Sequence, residues 1–185
     1  MTDQTPARTA TLEAFADTII PGERRTPEDR VVAGAAAGGG AVAAGAVQLL
    51  ELPEGGLAPM LDSLAMALDG HAVAYAAEHQ LTLDQTRSPF VALPFPDRTA
   101  LVQQLTALHH PEREMWVGMA IFCYMAFDSA AHLHTADAVA AGHVGLATMG
   151  FTKPDPDGLW RFPVASYGRD LARLHPDTTP SGSPV

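Results

Sequence analysis

Met115-Trp116-Val117-Gly118-Met119-Ala120-Ile121-Phe122-Cys123-Tyr124-Met125-Ala126-Phe127 is a run of thirteen residues without a charge. Pro111 stands where a helix begins, and Glu112 and Glu114 suit the positive end of its dipole. The run is apolar all round, which predicts a helix surrounded by others, the buried central rod of the molecule. It is too short to cross a bilayer before Asp128 interrupts it.

Working outward, every neighbouring segment also reads as helix or turn. Leu12, Phe15, Ala16 and Ile19 follow the helical period, with Thr9 or Thr11 as cap and Pro21-Gly22 as terminator, so a short, half-buried first helix is expected. Leu57, Met60, Leu61, Leu64, Ala65, Leu68, Ala72, Tyr75 and Ala76 form a long amphipathic stripe reaching about Gln80. Leu81 to Pro96 holds Pro89, Pro94 and Pro96, and reads as a surface loop pinned by Phe90, Leu93 and Phe95. Asp97 then opens a helix carrying Leu101, Val102, Leu105 and Leu108. Thr135 with Asp137 caps one more, to about Met149. No run alternates with period two. The expectation is an all-α, single-domain helical bundle of about five or six helices over residues 1–175, with an irregular aromatic C-terminal segment and a disordered tail at 176–185.

Charge and composition exclude several classes of function. A formal charge of −10, with one lysine and ten scattered arginines, lacks the basic stripe that nucleic acid requires. Residues 31–50 are uncharged over a membrane-spanning length, yet thirteen of the first sixteen are Ala or Gly, which bring little transfer energy, so no membrane span is expected. Gly38-Gly39-Gly40 weakens helix formation, so any helix here is broken or starts late. The same glycines fit a dinucleotide fingerprint only by force, because no strand precedes them, and close packing through small residues accounts for them better. Arg24-Arg25 resembles a twin-arginine export signal, but Glu28 and Asp29 follow it and an apolar helix precedes it.

Chemistry-bearing motifs are sparse. Glu13, Glu78, Glu112 and Glu114 lack the histidine three residues on that a carboxylate-bridged metal site uses. No zincin spacing and no Gly-x-Ser-x-Gly elbow occurs, and Cys123 sits among apolar residues that make a thiol a poor nucleophile. Asp128 and His132, four apart at the end of the rod, would share a helix face and pair if the helix continues that far, and His71 and Tyr75 would face them from the long helix. Together with Tyr124 these define a candidate proton-transfer pocket. The competing account is that each is a hydrogen-bonded boundary residue, or that His132 closes a helix C-terminus.

Leu12-Glu13-Ala14-Phe15-Ala16-Asp17-Thr18-Ile19-Ile20-Pro21-Gly22, taken with Met149-Gly150-Phe151, Leu159-Trp160-Arg161-Phe162-Pro163 and Ser166-Tyr167-Gly168-Arg169-Asp170, resembles the two ends of the gluconate 2-dehydrogenase subunit 3 family, in an actinobacterial-style subgroup. The resemblance covers about a third of the chain. It implies a small helical, non-catalytic accessory subunit that binds and stabilises or matures the large subunit of an FAD-dependent oxidoreductase of the glucose–methanol–choline type. FAD would then sit in the partner, with no cofactor or metal in this chain. Phe90, Phe95, Trp160, Phe162 and Tyr167 are the docking candidates. Because the family-like helix starts at Leu12, without the usual export peptide before it, a cytoplasmic complex is expected. The alternatives are a stand-alone small-molecule enzyme using the His71, Tyr75, Tyr124, Asp128, His132 cluster, and a structural homo-oligomer.

Overall fold

A computed structural model describes residues 5–153 and Asp177, and these residues contain helices and no strand. The chain divides into two compact units, Met1–Phe151 and Thr152–Val185. The first unit contains every described helix: α1 Thr5–Ile19, α2 Ala46–Glu51, α3 Leu61–Glu78, α4 Pro89–Ala92, α5 Phe95–Leu105, α6 Arg113–Ser129, α7 Thr135–Ala140 and α8 Val144–Thr148, with single 3-10 turns at Pro53–Gly55 and Ala58–Met60. Its helical architecture is the one expected, with eight α-helices where five or six were predicted. The extra ones are short. Pro89–Ala92, read as loop, makes one helical turn, and the helix predicted to Met149 is split by Gly142, whose φ of +71° is a left-handed turn.

α1 is longer and deeper than its sequence suggests. It starts at Thr5, so Thr11 is no cap but an interior residue, buried, with its hydroxyl directed at the Asp69 carboxylate (3.3 Å). Leu12, Ala14, Phe15, Ala16 and Asp17 are buried with it. α1 packs on α2, α3, α4, α5 and α6, and Phe15 meets Trp116 of α6 with ring centroids 6.2 Å apart. One continuous apolar core joins α1 to α6. Burying each such large side chain is worth roughly 1.5–3 kcal/mol. A second, much smaller cluster, Ala130, Ala138 and Leu146 with Val139 against it, holds α7 and α8.

The Ala/Gly segment is coil until Ala46, so its helix does start late. Close packing explains its glycines. Glu23 donates its N–H to Gly38 O (2.7 Å) and Ala41 to Ile20 O (2.9 Å), which brings the Pro21-Gly22 turn against Gly40 backbone to backbone. A Cβ on Gly22 would lie 2.3 Å from Gly40 N. Asp17 ties this crossing to α1, since its carboxylate accepts the N–H groups of Gly22 (3.2 Å) and Ala33 (2.8 Å).

α3 carries the predicted stripe, with Leu61, Leu64, Ala65, Leu68, Ala72, Tyr75 and Ala76 buried, although Met60 is exposed. Its end is a Schellman closure: Leu81 N–H returns to Ala76 O and Gln80 N–H to Ala77 O, with Gln80 at φ 56°. Glycine is the residue that suits this conformation. Gln80→Gly is therefore expected to raise stability by about 0.5–1 kcal/mol in urea denaturation, since the exposed side chain gives up little. A loss of stability would show that Gln80 holds the turn by its side chain.

The largest departure from expectation is α6. Only Trp116, Met119, Cys123 and Ala126 are buried on it, so the rod has one inner face against α1, α2, α5 and α8 and one bare outer face. α5 likewise begins at Phe95, not at Asp97, and ends at Leu105, which leaves Leu108 80% exposed beyond it.

Candidate functional site

The five residues of the expected proton-transfer pocket occupy separate places. His71, on α3, pairs through Nε2 with Glu112 Oε2 at 2.7 Å, and the same oxygen accepts the Trp116 indole N–H at 3.0 Å. The His71 and Trp116 contacts hold the Glu112 carboxyl below its ordinary range. Tyr75 donates its hydroxyl to Asp97 (3.2 Å). Tyr124 and Asp128 are exposed on α6. The helix stops at Ser129 because Ala130 turns left-handed (φ 49°) and Ala131 N–H returns to Met125 O, so Asp128 and His132 never share a helix face. No hydrogen bond links any two of the five. Sixteen positions of α6 separate Glu112 from Asp128, about 24 Å of helix, so the His71 and His132 ends lie far apart.

His132 instead packs its ring on Gly45, where a Cβ would meet Nε2 at 2.3 Å, and lies 6.0 Å from the His143 ring. Its Nδ1 is buried without a hydrogen-bond partner, and burial, with His143 beside it, lowers its pKa. His143 caps α8: Nδ1 accepts Leu146 N–H (3.3 Å), which leaves Nε2 to donate to Ala44 O (3.0 Å). This is a structural fastening. Gly145 permits it, because a Cβ there would strike Phe127 O at 1.8 Å. Among the described residues no group of three or more His, Cys, Asp or Glu side chains is placed to hold a metal. Burial pushes the Cys123 thiol up to about 12, which leaves it protonated and inert at neutral pH.

Polar groups that sequence reasoning passed over are the best-ordered ones. Arg98 is buried and donates from Nε to Leu93 O (3.0 Å), from Nη1 to Val31 O (2.7 Å) and from Nη2 to Val91 O (2.7 Å). Asp69 accepts Phe90 N–H at 3.0 Å and the Thr11 hydroxyl. Arg25, one of the two export-like arginines, bridges Glu13 (2.6 Å) and Asp29 (2.7 Å). Although burial works to raise it, Asp29 is held down to about 2 by that guanidinium and by the N–H groups of Val32 and Val31. Asp69 joins α3 to α1 and α4, while the Arg98 and Arg25 knots tie loops to helices.

Of the docking candidates, Phe90 is buried in the core and Phe95 is half-buried. Phe90 docks its own loop on α3, as an anchor of the fold. Trp160, Phe162 and Tyr167 lie outside the described residues. Exposed apolar side chains occur instead on α6. Ile121 and Tyr124 are 50% and 52% exposed, Met125 is exposed beside them, and Val117 is half-buried one turn before. At 3.6 residues per turn these positions form one stripe opposite Trp116, Met119, Cys123 and Ala126. An open groove of about 470 Å³ beside the end of α3, lined by Val73, Ala77, Leu83 and Arg87 among others, holds none of the expected pocket residues.

The described part is thus all-α, with Arg98, Asp69 and Arg25 tying its elements together and exposed apolar side chains along one face of α6. The chain belongs to a family of unknown function (DUF5987), whose model matches residues 6–185. No curated protein and no solved structure matches it. No described helix is long and apolar enough to cross a membrane.

Proposed function

We propose that this chain is a non-catalytic accessory subunit that docks through the outer face of α6 onto a larger partner and stabilises it. The observation that carries this reading is the exposed stripe Ile121, Tyr124 and Met125, with half-buried Val117 one turn before it, on the described helix with the longest uncharged run. A helix that buries one face in its own domain and offers an uncharged second face is built to be covered. The resemblance of Leu12 to Gly22 to accessory subunits of gluconate 2-dehydrogenase type gives the partner its class, an FAD-dependent oxidoreductase large subunit of the glucose–methanol–choline type, in a complex formed in the cytoplasm. The proton-transfer reading has less support, because His71 and Tyr75 are bonded to Glu112 and Asp97, Tyr124 and Asp128 are exposed, and His132 packs apart from them on Gly45.

The test is isolation of the tagged full chain from its native host. The chain is expected to carry a yellow, flavin-containing companion, and Ile121→Asp is expected to lose it while keeping its helical circular dichroism and melting temperature. Recovery of the companion equally with the variant, or of no flavoprotein with either chain, overturns the reading.

A further inference from the structure

Resting on that docking reading, the geometry points to the chemistry of what covers α6: a partner helix with an apolar stripe of about four turns and lysine or arginine at both ends. At 100° per residue, Glu114, Val117, Gly118, Ile121, Tyr124, Met125 and Asp128 fall within about 120° of arc, centred opposite the buried face. The stripe therefore has an uncharged middle and a carboxylate at each end, about 21 Å apart along the axis. Glu114 and Asp128 are both exposed, and neither side chain has a hydrogen bond or ion pair among the described residues. Asp128 stands in the last turn, where the negative end of the helix dipole disfavours an anion. A cation arriving from outside relieves that repulsion and pairs with the carboxylate.

Gly118 adds an observation independent of charge. Glycine weakens a helix interior, and nothing among the described residues outside its own helix backbone approaches within 4 Å of where its Cβ would stand. Internal packing gives it no reason to be there. On the outer face, between Val117 and Ile121, it opens a notch that admits an apolar side chain of a crossing helix.

A second copy of this chain is the wrong occupant. Antiparallel pairing through the stripe would set Glu114 of each copy against Asp128 of the other at both ends, between two chains that each carry a formal charge of −10. The partner is a different chain with basic ends.

Two synthetic helical peptides of equal length and identical Leu/Ala stripe, one ending in Lys and Arg at both termini and the other in Glu, test this by fluorescence anisotropy against the full chain. The basic-ended peptide is expected to bind about tenfold more tightly, from two ion pairs gained against two repulsions avoided. The double variant Glu114→Lys/Asp128→Lys should reverse that preference, and Gly118→Leu should abolish binding of both peptides, with helical circular dichroism unchanged in each variant. Equal binding of the two peptides, binding of neither, or a dimer of the free chain that Ile121→Asp dissociates overturns the inference. A flavoprotein companion recovered alongside indifferent peptides would leave the docking reading standing and remove the basic-ended helix. A charge-selective stripe on a chain that carries no flavoprotein would do the reverse.

Discussion

Replacing Arg98 by methionine is expected to cost about 3–5 kcal/mol of folding stability, because one buried cation is withdrawn from a site that keeps all of its acceptors. Its three donors satisfy Leu93 O, Val31 O and Val91 O, which belong to the turn after α4, the coil that follows Asp29, and α4 itself. Methionine fills comparable volume and donates nothing, so the carbonyls lose their partners while still shielded from water. Asp17 adds a pH signature. Burial raises its pKa, and the Arg98 charge is among the influences that hold it down. A carboxyl whose folded-state pKa lies above its unfolded value contributes its stability at low pH and loses it as pH rises through the folded value. Without Arg98 that folded value moves further up. The deficit of the variant, measured by urea denaturation, should therefore be smaller in acid than at neutral pH. Arg98→Lys should fall between, since an ammonium replaces the charge but not the three-way geometry. A deficit of less than about 1 kcal/mol would mean that the carbonyls find other donors.

Gly22→Ala should be as damaging, at roughly 3 kcal/mol or more, although it adds a single methyl group. The new Cβ would sit 2.3 Å from Gly40 N and 2.9 Å from Gly40 Cα, and backbone cannot swing aside as a side chain can. Relief requires the Pro21-Gly22 turn to separate from Gly38–Gly40, breaking the Glu23-to-Gly38 and Ala41-to-Ile20 hydrogen bonds and the hold of Asp17 on Gly22. Gly118→Ala is the internal comparison: with open space above it, the same chemical change should stabilise by about 0.5–1 kcal/mol through helix propensity alone. Opposite signs in thermal melts of the two variants are the expected result. Equal, small effects would show that the crossing loops are loosely apposed.

The helical class was legible because hydrophobic period and capping are local. The stripe of α3 could be read residue by residue, and so could the delay of α2 by Gly38–Gly40. The rod misled for a physical reason. Apolar content tells how much a helix gains by being covered, not whether its own chain does the covering, so thirteen apolar residues read as a buried core when only four of them are buried. Arg98 was missed because charged residues are read as surface, yet it stands three and four positions before Leu101 and Val102, on the inward face of α5, and that register was the available signal. Asp69 follows Leu68 and precedes Ala72 by three in the same way. The His132 pairing depended on where α6 ends, and the left-handed Ala130 that ends it has no sequence mark, since alanine ordinarily continues a helix.

The separate cluster under α7 and α8 carries a consequence for how the molecule comes apart. Three buried residues, two of them alanine, cannot sustain a cooperative unit by themselves, and what else fastens it includes the seat of Gly145 on Phe127, the His143 cap with its hydrogen bond to Ala44 O, and the His132 ring against Gly45. The stretch from Ala130 to Thr148 is therefore expected to open as a sub-global unit, its amides exchanging faster than those of α1 to α6 in native-state hydrogen exchange. Two tiers of protection within one chain follow from the way its alanines and its larger side chains are shared out.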